Sequence, residues 1–143
     1  MSLREREPAS QKKGQLVLGV DDVPESLALI EAAVSAAGYI FYGAASGKDC
    51  FDLVERVTPK LVLLDVEMPE MDGFEVCKRL RTDKRLTHVP ILFLTAHKTV
   101  EAVRRGMAAG GNDFILKPFD IAKLQSRLHH WMAQRVGLVR YRL

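Results

Sequence analysis

Cysteine is scarce in this 143-residue chain: there are two, Cys50 and Cys77, and neither stands in a CxxC or Cys/His spacing. Two reduced, partly buried thiols are therefore expected in preference to a disulfide-stapled scaffold or a thiolate zinc site. His88, His129 and His130 also lack ligand spacing and are expected on the surface. Long hydrophobic runs are missing. The nearest, residues 27–45, is interrupted by Glu31 and Gly38, and a helix followed by a strand explains it better than a membrane span. Residues 1–14 are polar and charged, so no signal peptide is legible and a cytoplasmic location is expected. A basic stripe on the body is absent too. Residues 16–126 hold 13 Lys/Arg against 16 Asp/Glu, a net of −3; the ends carry +2 over residues 1–15 and +4 over residues 127–143. A nucleic-acid binder more often carries its positive charge on the folded surface, so direct DNA or RNA contact is not expected. No internal repeat or low-complexity tract occurs.

What is present is a pattern of short apolar runs that end in polar residues. Leu61-Val62-Leu63-Leu64 runs into Asp65, and a Pro69-to-Gly73 loop follows. A short, wholly apolar run reads as a strand buried on both faces of a parallel sheet. Residues 16–20 run likewise into Asp21-Asp22, residues 91–94 into Thr95, and residues 114–116 into Lys117-Pro118. Open α/β sheets place ligand sites at the carboxyl ends of their strands.

Between these runs the spacing predicts helices. The first covers residues 25–37, with Pro24 at its first position and Gly38 as its left-handed terminator. Its apolar residues extend beyond one face, as neutral alanine filler or as a partner-facing patch. A second strand is expected over residues 39–44. Ser46 and Asp49 then resemble an N-cap pair for a helix that Thr58-Pro59 ends. Phe74, Cys77 and Leu80 mark the third helix, residues 98–109 the fourth, and Asp120 caps a last one carrying Ile121, Leu124, Leu128 and Trp131. Five strands alternating with five helices make a flavodoxin-like (βα)5 α/β fold, a doubly wound parallel sheet of order 2-1-3-4-5. The domain is expected over residues 15–134, with a disordered tail at 1–14 and a tail or truncated linker at 135–143. Two readings of the chain stand open: a stand-alone domain, or, with Met1-Ser2-Leu3 as a cloning remnant, a piece excised from something longer.

Asp21, Asp22 and Asp65 at adjacent strand ends would bring three carboxylates close together, which is unfavourable unless a cation neutralises them. Carboxylate oxygens with open water positions suit Mg²⁺ or Mn²⁺ better than zinc. An anionic phosphoryl group could then pair with Lys117 and take a hydrogen bond from Thr95. An Asp carboxylate is a competent nucleophile, forming an acyl phosphate, and such transfer needs positioning and charge neutralisation above all.

The Asp21-Asp22 pair, the Leu-Leu-Asp-Val-Glu-Met-Pro-Glu-Met-Asp-Gly loop, Thr95-Ala96 and Lys117-Pro118-Phe119 resemble the receiver domain of two-component response regulators, chemotaxis receivers among them. The spacings of 30 from Asp65 to Thr95 and 22 from Thr95 to Lys117 are similar as well. The resemblance implies that Asp65 accepts a phosphoryl group from a histidine kinase or histidine phosphotransferase. It implies Mg²⁺ held by Asp21, Asp22, Asp65 and the Glu67 backbone carbonyl. Thr95 and Lys117 match the switch hydroxyl and the phosphate-binding lysine, and Phe114 the aromatic whose inward turn follows Thr95. On that reading Phe114 rotates in from solvent and the helix 4/strand 5/helix 5 face changes, serving a partner, an effector domain or a homodimer; the other reading of Phe114 is an ordinary core residue. Glu67 and His97, each two residues past a site residue, are expected to flank an attacking water and tune phosphoryl lifetime. Gly19 and Gly111 depart from the commonest pattern and are expected to loosen the fold locally.

Two other readings stand beside this one. A phosphohydrolase of the haloacid dehalogenase type shares the Asp, Thr and Lys but wants an Asp where Glu67 stands. A receiver-like adaptor that binds without phosphorylation would not need every site residue.

Overall fold

The structure is a computed structural model that describes residues 15–141, with side chains through residue 133. Five strands, β1 (Leu16–Val20), β2 (Ile40–Ala44), β3 (Leu61–Asp65), β4 (Ile91–Thr95) and β5 (Asp113–Leu116), form one sheet in the order β2-β1-β3-β4-β5. Every pairing is parallel. β1, β3 and β4 are buried throughout, which is why their sequences show no alternation. The helices are α1 (Pro24–Ala36), α2 (Gly47–Val54), α3 (Gly73–Leu80), α4 (Val100–Ala108) and α5 (Ile121–Tyr141). The expected doubly wound fold is thus the one observed.

The two faces of the sheet carry separate cores. Cys50 and Val54 of α2, with Phe74, Val76, Cys77 and Leu80 of α3, pack against Leu18, Val62, Leu64 and Phe93. On the other face, Ile30, Ala33 and Val34 of α1 and Leu124 and Leu128 of α5 cover Val17, Leu61, Leu63, Leu92 and Ile115. Both cysteines are free and buried. α1 leaves Ala28, Ala32 and Ala36 exposed, while Gln125 of α5 donates to its Ala33 carbonyl at 3.1 Å.

Local signals decide the helix ends. Pro24 stands in the first turn of α1, and Gly38 has φ 93° beyond its last residue. Ser46 caps α2 by accepting from the Asp49 N–H at 3.1 Å. α2 stops at Val54, short of the Thr58-Pro59 boundary. α4 starts later than expected because Thr99 caps it, accepting from the Ala102 N–H at 3.0 Å. A 3₁₀ turn over Lys84–Leu86, absent from the sequence reading, buries Leu86 before β4.

Neither unusual glycine loosens the fold. A Cβ on Gly19 would meet the Phe41 ring at 2.7 Å, and one on Gly111 would meet the Phe93 ring at 2.1 Å. Each glycine makes room for an aromatic, so these positions are tightly packed. At the C-terminus, part of the stretch expected as a tail is helical, since α5 continues to Tyr141. The disorder expected for residues 1–14 lies outside the described residues, as do the last two positions. Among the described residues, no helix is long and apolar enough to cross a membrane.

Candidate functional site

The register assembles the site. Val20 pairs with Leu64, Asp65 with Leu94 and Thr95 with Leu116, so Asp21, Asp65, Thr95 and Lys117 arrive at one edge of the sheet. Asp21, Asp65 and Thr95 are all buried. The loop after β3 is folded tightly on that edge: Gly73 N–H donates to the Val66 carbonyl at 2.9 Å, and a Cβ on Gly73 would stand 2.3 Å from the Asp65 carbonyl. Asp72 then caps α3, accepting from the Glu75 N–H at 2.9 Å.

Lys117 Nζ sits 2.9 Å from Asp21 Oδ2 and 2.8 Å from Asp65 Oδ1, one ammonium bridging two carboxylates. Asp21, Asp22 and Asp65 each offer an oxygen within 4.8 Å of the others. Asp22 Oδ1 is buried with no hydrogen-bond partner among the described residues. A buried carboxylate oxygen left without a partner is costly, and beside two further carboxylates it fits a small hard cation with oxygen ligands. Burial drives the Asp65 carboxyl up to about 6; the Lys117 hydrogen bond opposes this, and the Asp21 and Glu67 charges add to it. Lys117 is held above its ordinary value: burial pulls it down, but hydrogen bonds to Asp65 and Asp21 outweigh that.

Thr95 is already engaged. Its Oγ1 donates to Glu67 Oε2 at 2.7 Å and accepts from the His97 N–H at 3.0 Å. His97 Nδ1 lies 3.3 Å from the same carboxylate oxygen. Glu67 is held below its ordinary value, because its partial burial is outweighed by hydrogen bonds from Thr95, His97 and the Ala96 backbone. Glu67 and His97 therefore pair with each other and with Thr95, a contact that spacing alone did not reveal.

Phe114 does not stand in solvent. It is 4% exposed and packs beside Phe93 and Phe74, with ring centroids 5.1 and 6.4 Å away. Two causes place it inside. A phenyl ring has no hydroxyl to anchor it in water. Gly106 on α4 supplies the space, since a Cβ there would lie 2.4 Å from the ring. Gly106 was visible in the sequence, but nothing there tied it to Phe114. The neighbouring Asp113 accepts from Trp131 Nε1 at 2.8 Å and pairs with Arg127, fastening α5 to β5.

Residues 17–129 match the family model described as the response regulator receiver domain. The chain is 35% identical over 112 residues to the DNA-binding dual master transcriptional regulator RpaA of Synechocystis sp., an alignment covering 78% of this chain and 46% of that protein. It thus spans less than half the length of that relative. Among solved structures, the chemotaxis response regulator CheY4 of Vibrio cholerae superposes with a TM-score of 0.78 at 30% identity, covering 81% of this chain and 97% of that one. The receiver domain of sensor histidine kinase PA1611 of Pseudomonas aeruginosa, solved with a magnesium ion coordinated in its active site cleft, gives 0.76 at 32% identity, covering 84% and 98%. Fold, strand-end chemistry and sequence agree: the chain belongs to the response regulator receiver domain family.

Proposed function

We propose that Asp65 is a phosphoacceptor, served by a phosphohistidine on a histidine kinase or histidine phosphotransferase. A carboxylate oxygen of Asp65 attacks phosphorus, the bond from phosphorus to the donor imidazole nitrogen breaks, and an aspartyl phosphate forms while the imidazole leaves. One observation carries the reading: Lys117 bridges Asp21 and Asp65 beside the partnerless oxygen of Asp22. Asp21, Asp22, Asp65 and the Glu67 backbone carbonyl would hold Mg²⁺, or Mn²⁺ in its place. When bound, the cation supplies neutralising charge for the incoming phosphoryl group. Lys117 offers the transferred group an ammonium, and Thr95 a hydroxyl proton. Glu67 and His97 lie at the mouth of the site and set how long the acyl phosphate survives hydrolysis.

This receiver domain acts catalytically only in its own phosphorylation and dephosphorylation. The output is the α4/β5/α5 face, where Val100, Met107, Leu116 and Ile121 are exposed apolar residues suited to a partner, an effector domain or a second copy. Because Phe114 starts inside, the change at that face runs through the loop carrying Thr95 and His97 into α4. The mildly acidic body supports no direct nucleic-acid contact, and DNA binding in RpaA is named for that whole protein. A phosphohistidine donor made from ATP puts the domain in the cytoplasm.

The test is incorporation of labelled phosphoryl from a phosphohistidine donor or a small acyl phosphate in Mg²⁺. Asp65→Asn should abolish it; undiminished labelling in that variant would assign the acceptor elsewhere.

A further inference from the structure

The Thr95 hydroxyl is committed twice before any phosphoryl group arrives. Its proton points to Glu67 Oε2 at 2.7 Å, and its lone pair receives the His97 N–H at 3.0 Å. The alternative acceptor, the His97 carbonyl, is farther off at 3.4 Å. A hydroxyl has one proton to give. Thr95 is 1% exposed, so water has little access to take over either role. Glu67 is fastened in turn by His97 Nδ1 at 3.3 Å. A phosphoryl oxygen on Asp65 could use the Thr95 proton only after Glu67 has released it.

We propose that Glu67 is a positioning residue for the phosphoryl group: its carboxylate keeps the Thr95 hydroxyl in a resting hydrogen bond, and the phosphoryl oxygen competes for the same proton. The inference rests on Asp65 as acceptor but says something further about it. Two forces drive the exchange once Asp65 is modified. The phosphoryl group is the more highly charged acceptor, and it repels the Glu67 carboxylate. Thr95 turns to the phosphoryl oxygen, and Glu67 moves out with His97. Glu67 thereby sets how strongly phosphorylation is coupled to movement of the loop after β4.

The experiment measures the affinity of beryllofluoride, a phosphoryl mimic, in Mg²⁺ for the wild type, Glu67→Ala, Thr95→Ala and the double variant. Losing a competing charge-assisted hydrogen bond should tighten binding about tenfold in Glu67→Ala. Removing one negative charge also favours an anion, and the double-mutant cycle separates the two effects. In the Thr95→Ala background the gain should shrink to that charge contribution. Glu67→Gln, which keeps an acceptor for Thr95 but not the charge, should gain less than Glu67→Ala. Equal gains in both Thr95 backgrounds, or Gln matching Ala, would overturn the competition and leave the acceptor reading standing. A wild type that does not bind beryllofluoride at all would remove the acceptor reading, and this inference with it.

Discussion

Two residues apart on β4, and three from β5 into the turn after it, the protein is held together in opposite ways. Phe93 pairs in register with Phe114, and their rings meet at 5.1 Å between α3 and α4, where Gly106 and Gly111 leave room for them. Just beyond, Thr95 and Lys117 face carboxylates through hydrogen bonds that another partner could take. The aromatic end gains from contacts with no substitute in water. The polar end crowds acids that destabilise one another, a repulsion that Lys117 offsets only in part and that a divalent cation would relieve. The contrast shows where the fold keeps its stability and where it places its capacity to change: packing is local and all-or-none, whereas hydrogen bonds and charges can be exchanged.

The sharpest way to break this comparison is Asp65→Asn. The folded-state value of Asp65 is raised to about 6, so the folded protein binds a proton that the unfolded chain has lost. Its contribution to stability is present below the unfolded value near 4 and is lost as pH rises through about 6. Without metal, at pH 7, Asp65→Asn should therefore be more stable than the wild type by about 3 kcal/mol in urea unfolding. The wild type itself should weaken between pH 4 and pH 6. Mg²⁺ should narrow the gap by stabilising the wild type. If the variant is the less stable at pH 7 in EDTA, the acidic edge is not under strain.

Gly106→Ala tests the opposite end. The added methyl meets the Phe114 ring at 2.4 Å and should cost about 2 kcal/mol through overpacking. Ring resonances of Phe114 should move toward exposed values; an unchanged ring environment would show that α4 yields instead. The smallest effect is at Glu70, a non-glycine residue at φ 71° in the loop after β3. Glu70→Gly should gain about 0.5 kcal/mol, the relief of left-handed strain less the extra entropy of glycine when unfolded. Phosphoryl labelling should be unaffected, since among the described residues no hydrogen bond or ion pair joins Glu70 to a site residue.

Much of this was legible in the chain. Apolar runs without alternation announced buried parallel strands, and the residue after each run announced the site, because a side chain at a strand end must reach the sheet edge. Caps were legible at Ser46 and Asp120, whose side chains bond to backbone only three residues on. Legibility failed where contacts joined distant segments. Gly19 and Gly111 looked like loose points until Phe41 and Phe93 were found filling their space. Phe114 was open between plain core and an aromatic that turns in from solvent, because nothing in the sequence tells that Gly106 lies beneath it. The Glu67–Thr95 bond spans 28 residues and depends on how the loop after β3 folds back.

The linear order of residues determined which groups could act here: an acid pair, a lone acid, a hydroxyl and an ammonium, each at the end of a strand, since periodicity and backbone propensity are local properties. Tertiary structure alone decided their engagement before any ligand arrives, with Lys117 across two acids, Thr95 on Glu67, and Phe114 already seated. Those states depend on distances between segments far apart in the chain, which are fixed only when strands pair in register and both faces of the sheet are packed.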